Sequence, residues 1–189
     1  MSGMAICEYL WIAFFVVWVI WAWRTKPTQV RENVGSRLSY VVFTVAAYVM
    51  MFSRYVPRGW LRFPVLPNSF WLRVLGVAIT AGGLGFAIWA RAYLAGNWSS
   101  SVTVKVGHEL VRTGPYRWVR HPIYCGLILA MMGTAIERSQ VRGALAFIFL
   151  YIGFAIKSQI EERAMRETFG AQYEEYSRDT GRILPRLIR

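Results

Sequence analysis

Cysteine is nearly missing from this chain. Cys7 and Cys125 each fall inside an apolar run, so neither a disulfide framework nor a cysteine-based metal site can be read. Charge is scarce too, at 17% of 189 residues against roughly 25% in soluble domains. Acidic residues number 10 and histidines two, His108 and His121. There is no internal repeat and no low-complexity tract. Together these shortages exclude a disulfide-stapled scaffold and a disordered or collagen-like chain. What is abundant is apolar: 56% hydrophobic residues, with 9 Trp, 10 Tyr and 11 Phe. A soluble domain of this size leaves too much surface in water to bury that much. The 22 basic residues give a net charge of +12. They lie between the apolar runs rather than in one patch, which fits a membrane protein and not a nucleic-acid binder.

Five apolar runs follow one another: Tyr9–Trp23, Leu38–Ser53, Val74–Ala90 (to Ala95 if Arg91 snorkels), Pro122–Ile136 and Gly143–Ile156. A full span needs about 20 residues. The last two runs are shorter, and the short Glu137–Arg142 connection predicts an antiparallel hairpin whose helices extend beyond the apolar limits. The first run lacks a basic flank and a small-residue cleavage site, so it reads as a retained span rather than a signal peptide. The expectation is an all-α integral membrane protein with about five transmembrane helices and a single membrane domain over residues 1–189. Three spans fall in residues 1–95, and the chemistry-bearing half is 96–189. With five spans, one set of loops holds sixteen basic residues and the opposite set six. The positive-inside rule then puts the C-terminus in the cytoplasm and the N-terminus outside. The loop carrying Arg54, Arg58, Arg62 and Arg73 also holds Pro57, Pro64, Pro67, Trp60 and Trp71, as an interfacial segment would.

Polar residues converge on the cytoplasmic side in two places: the loop Gly96–His121 and the exit of the last span, Lys157–Gly170. Gly114-Pro115 signals a turn, and His121-Pro122 opens the fourth span with Arg117 and Arg120 just outside it. Lys157 and Glu161 are one helical turn apart and share a face. Glu161 and Glu162 are adjacent like charges near the membrane boundary, where ionisable groups are costly and often functional. An ordinary alternative is a solvated amphipathic C-terminal helix whose apolar stripe is Ile160, Ala164, Met165, Phe169, Tyr173 and Tyr176. Gly82, Gly83 and Gly85 in the third span are read as permitting close helix packing.

The combination GPYRWVRHPIYCG, then EER some 35 residues later, then FGAQYEEY and a terminal RILP, resembles the isoprenylcysteine carboxyl methyltransferase family. It is also similar to the related phospholipid methyltransferases. The likeness covers Lys105 to Pro185. It implies S-adenosylmethionine as methyl donor, bound by a cytoplasmic loop without a Rossmann fold, and S-adenosylhomocysteine as product. Carried over by position, the cofactor-binding residues are Lys105, His108, Glu109, Leu110, Val111, Tyr116, His121, Pro122, Ile123, Tyr124 and Glu161. Lys157 stands at the substrate-binding position, where the family's eukaryotic members have Arg. Lysine still attracts a carboxylate but lacks the bidentate fork.

The activity so implied is methyl transfer to an amphiphilic acceptor whose tail enters from the bilayer. A carboxylate such as a prenylcysteine-like substrate is favoured, with a phospholipid or isoprenoid acceptor as alternative. An NADPH-dependent sterol-reductase-like enzyme and a scaffold anchored to membrane lipids are more distant possibilities. No metal and no nucleic acid are expected, and no catalytic acid or base is assigned. Glu162, if it faces away from the cofactor, is expected to matter far less than Glu161.

Overall fold

The computed structural model describes residues 2–22, 33–56, 59–94 and 110–186. They form six α-helices: α1 (Gly3–Ala22), α2 (Val34–Phe52), α3 (Phe70–Leu94), α4 (Pro122–Arg138), α5 (Val141–Phe169) and α6 (Ala171–Asp179). Short 3-10 turns at Trp60–Arg62 and Gly114–Arg117 precede α3 and α4. Among the described residues the only β pairings are two isolated bridges, Pro64 with Gln140 and Val119 with Gly181. Four helices, α1, α2, α3 and α5, are long and apolar enough to cross a membrane. This is a multi-pass membrane protein. The run expected as a fourth span forms α4, shorter than those four at 17 residues, about 25 Å. It is the central helix, with ten buried residues.

Local sequence explains the helix ends. Asn33 caps α2 by accepting a 3.0 Å hydrogen bond from the Gly35 amide. Pro122 begins α4 at a position whose N–H would have no helical partner. The expected hairpin is present: only Ser139 and Gln140 separate α4 from α5, with Ser139 in the left-handed conformation at φ 50°. The Ser139 hydroxyl donates to Leu66 O at 2.8 Å, so the loop before α3 grips the hairpin tip. On α1 the buried residues Cys7, Trp11 and Phe14 share one face, while Ile12, Val16, Val19 and Ile20 point outward.

α3 packs most extensively on α4, α2 on α5, and α1 on α3. The α3–α4 contact is a small-residue seam. A Cβ on Gly83 would lie 2.5 Å from the Ala130 amide, and one on Gly126 would lie 2.6 Å from Gly83 O. Gly76 and Gly133 repeat the arrangement one heptad away. Beside the seam, Thr80 and Thr134 hydroxyls stand 3.2 Å apart, and Trp11 Nε1 donates to Thr134 Oγ1 at 3.0 Å.

Three expectations need correction here. Gly82 and Gly85 face open space, so Gly83 alone of that trio serves packing. Arg91 does not snorkel: it is 3% exposed and donates to Trp21 O at 3.3 Å, between the rings of Trp18 and Trp21. The C-terminal amphipathic stripe is not on one helix. Gly170, at φ 49°, ends α5 after Phe169 and turns the chain, so Tyr173 and Tyr176 belong to α6. Gly83→Ala is expected to cost about 1–3 kcal/mol through overpacking, read as a lowered melting temperature in detergent. Gly82→Ala, with nothing within 4 Å, is expected to leave it unchanged or raise it.

Candidate active site

The site is built where α4 begins. Val119 pairs with Gly181, Arg120 N donates to Gly181 O at 2.8 Å, and His121 N donates to Arg182 O at 3.0 Å. The C-terminal segment therefore straps the Arg120-His121-Pro122 turn from outside. Tyr176 on α6 adds a third tie, donating to Tyr116 O at 2.7 Å.

Under the strap lies Glu162, 1% exposed. Its Oε1 accepts from Arg120 Nε at 2.7 Å and lies 3.5 Å from His121 Nε2, while Oε2 lies 3.5 Å from Arg182 Nε and 3.8 Å from Arg166 Nη2. Arg120 also donates to the carbonyls of Ser177 and Thr180. Glu162 thus does not face away. It is the most heavily paired carboxylate of the described site, joining α5, the turn before α4 and the tail. Adjacent residues on a helix point about 100° apart, so a like-charged neighbour can belong to a different environment.

Glu161 points to that other environment. Its Oε1 accepts from the Tyr124 hydroxyl at 2.6 Å and lies 3.9 Å from Lys157 Nζ; its Oε2 is 3.3 Å from His121 Nδ1. The imidazole is therefore wedged between two carboxylates, one near each nitrogen. Burial alone would lower the His121 pKa. The neighbouring carboxylates of Glu161 and Glu162 outweigh it and raise the value. His121 stacks on Tyr124 (5.3 Å, 3°), and Tyr124 stacks on Phe154 (4.6 Å, 5°). Lys157 lies over two rings, Tyr40 of α2 at 5.2 Å and Tyr124 at 5.6 Å.

Of the residues expected here, Tyr116, His121, Tyr124, Lys157 and Glu161 gather at this end of the bundle. Pro122 and Ile123 are buried, and the Ile123 side chain belongs to the hydrophobic core, so they serve the site by starting α4. Leu110 is half-buried, and Val111 packs against the core. Lys105, His108 and Glu109 lie outside the described residues. The sequence reading left out Tyr40, for which nothing in a featureless apolar helix is a signal. It also left out the roles of Arg120 and Arg182, although RHP and RILP both marked the positions.

The cluster keeps polar groups that a ligand can meet. The Tyr116 hydroxyl is buried without a hydrogen-bond partner among the described residues, and burial pushes its phenol upward, so it stays neutral. Glu161 keeps 18% side-chain exposure, and a carboxylate has about four acceptor positions. A carboxylate, a stacked aromatic column and an unpartnered hydroxyl suit a ligand with an ammonium group, a flat ring and a further acceptor. The residues present fit S-adenosylmethionine.

Apolar spanning helices carrying an ionic and aromatic cluster at one end define a multi-pass membrane protein with a polar site at the end of its bundle. Residues 71–172 match the phospholipid methyltransferase family, and the chain belongs to it. Its relatives include protein-S-isoprenylcysteine O-methyltransferase A of Arabidopsis thaliana, 30% identical over 65% of this chain and 64% of that protein. Methanethiol S-methyltransferase of Mycobacterium tuberculosis is 27% identical over 87% of this chain and 57% of its own length. The uncharacterized protein YpbQ of Bacillus subtilis is 29% identical over 53% of this chain and 60% of its length. The chain thus spans less than two thirds of each of these relatives.

Glu162→Gln is expected to destabilise the protein by about 3–5 kcal/mol, the cost of breaking a buried ion pair, seen as a lower melting temperature. His121 adds a pH dependence. Its folded pKa is raised, so its stabilisation is complete below about 6.5 and fades as pH rises through the raised value. His121→Gln is expected to remove that part of the slope in melting curves taken across pH.

Proposed function

We propose that this protein is an integral membrane S-adenosylmethionine-dependent methyltransferase acting on an amphiphilic acceptor with an anionic head. A carboxylate such as a prenylcysteine-like compound is favoured. The observation that carries the reading is the placement of Glu161, paired with His121 and Tyr124, one helical turn from Lys157 at the end of an apolar bundle. Bound S-adenosylmethionine supplies an electrophilic methyl group on a sulfonium. Glu161 accepts a charge-assisted hydrogen bond from the cofactor's ammonium, and the Tyr116 hydroxyl donates to its polar periphery. The stacked rings of His121 and Tyr124 offer a flat face. Lys105, His108 and Glu109 are proposed as further contacts, as are Leu110, Val111, Pro122 and Ile123.

Lys157 attracts and orients the acceptor's anionic head while Tyr40 and Tyr124 keep water from its ammonium. A carboxylate acceptor is already ionised at neutral pH, so the residues need only align it and exclude water. No general base is required. A thiolate is the second reading, favoured by the mycobacterial relative, whose printed activity is on a thiol. Lys157 would stabilise that anion once the thiol has released its proton to water, and its positive charge disfavours a protonated amine acceptor.

Cofactor affinity tests this. Glu161→Gln keeps shape but removes a charged hydrogen bond worth roughly 1.5–3 kcal/mol, so S-adenosylhomocysteine affinity is expected to fall about ten- to a hundredfold. Lys157→Ala is expected to keep cofactor affinity and lose methyl transfer. Wild-type affinity in a folded Glu161→Gln protein, or NADPH binding in place of S-adenosylhomocysteine, would sink the assignment.

We also propose that the Glu161 end faces the cytoplasm with the N-terminus outside, from the sixteen-to-six basic count. An engineered cysteine replacing Ser2 is then expected to react with an impermeant reagent in intact cells, whereas one replacing Arg189 is not.

A further inference from the structure

At the end of α4 remote from His121, three arginines converge. Arg62 closes the 3-10 turn before α3, Arg138 lies in the last turn of α4, and Arg142 lies in the first turn of α5. The 17 residues of α4 put them about 25 Å from His121. Arg142 is buried, with Nη2 donating to Met51 O at 2.9 Å and Ser53 O at 3.1 Å; Arg62 Nη2 donates to Val56 O at 3.2 Å. These bonds pin each guanidinium by one edge. The Nε atoms of all three arginines are buried and have no hydrogen-bond partner among the described residues.

Charge is unbalanced there as well. Arg138 feels the charges of both Arg62 and Arg142. Among the described residues one ion pair relieves the trio, Arg138 Nη2 to Glu8 Oε1 at 4.0 Å. Glu137 turns instead to the backbone of Met4. Three converging cations with unmet donors call for an anion with several acceptor oxygens, and the planar guanidinium edge matches phosphate. The cluster reaches the surface through Arg62 and Arg138, both half-buried. Trp60 and Phe63, 60% and 62% exposed, flank Arg62, and Tyr55 is exposed on the same loop. Exposed aromatics beside arginine at the end of a spanning bundle mark the headgroup level of a bilayer.

We propose that Arg62, Arg138 and Arg142 form a binding site for the phosphate of an anionic phospholipid headgroup, at the bundle end opposite Glu161. The site is separate from the methyltransferase reading and stands without it. Its occupant ties the loop before α3 to the α4–α5 hairpin, which the Ser139–Leu66 hydrogen bonds already join.

The test is thermal unfolding of the full chain in neutral detergent, titrated with dihexanoyl phosphatidylglycerol, dihexanoyl phosphatidylcholine or inorganic phosphate. Phosphatidylglycerol is expected to raise the melting temperature, because a ligand of the folded state stabilises it. In Arg62→Gln and Arg138→Gln the half-saturating concentration is expected to rise tenfold or more. Without lipid, Arg62→Gln is expected to melt no lower than wild type, since it relieves repulsion. Arg54→Gln, on the same loop but engaged with Tyr55, should respond as wild type. S-adenosylhomocysteine affinity should be unchanged in every variant. Equal responses of wild type and Arg62→Gln would overturn the site. An equal response to phosphatidylcholine would overturn its anionic selectivity. Saturation by inorganic phosphate at no higher concentration would overturn the lipid as its source.

Discussion

Burial of Glu162 is the constraint on which the rest of this protein depends. A carboxylate held at 1% exposure in an apolar bundle is tolerable only with its partners in place. Those partners come from distant stretches of chain: Arg120 and His121 before α4, Arg166 on its own helix, and Arg182 in the tail. Meeting its demand forces the strap across the turn, orients His121, and through His121 orients the second carboxylate. Glu162 is structural in this sense, and Glu161 inherits its geometry.

The consequence is a division of labour between neighbours in sequence. Glu162 is enclosed by cations and unavailable to a ligand. Glu161 retains exposure and is approached by an imidazole, a phenol and an ammonium, none of which blocks every acceptor position. The stacked column of His121, Tyr124 and Phe154 then joins the ionic cluster to the apolar core. Any ligand at Glu161 therefore meets charge on one side and hydrocarbon on the other, the boundary that an amphiphile and a polar cofactor would share.

The bundle beneath is held by a different physics. Without water to drive helices together inside a bilayer, close backbone approach supplies the attraction, and the seam at Gly76, Gly83, Gly126 and Gly133 permits it. The threonines beside the seam satisfy one another and the Trp11 indole. This places α4, the shortest of the five long helices, in the middle of the bundle, and so fixes where His121 emerges.

Periodicity and composition alone determined the membrane class, the apolar runs and the α4–α5 hairpin, because those depend on local hydropathy and connection length. The clustering of RHPIY with the acidic pair was legible for the same reason: the motifs sit at helix ends, where polarity changes abruptly. Direction was not legible. Whether Glu161 or Glu162 faces a ligand, whether Arg91 reaches water or is buried between Trp18 and Trp21, and which glycine of three meets another helix are decided by rotation of a helix about its axis. That rotation is set by neighbours far away in the chain. Tyr40 acquires a role only because α2 packs on α5 beside Lys157. The break at Gly170 gives two helices where one amphipathic stripe was expected, because α6 must turn back to bring Tyr176 and the tail over Tyr116 and Arg120. Residue identity carries polarity and spacing. The partner each side chain meets is a property of the assembled bundle.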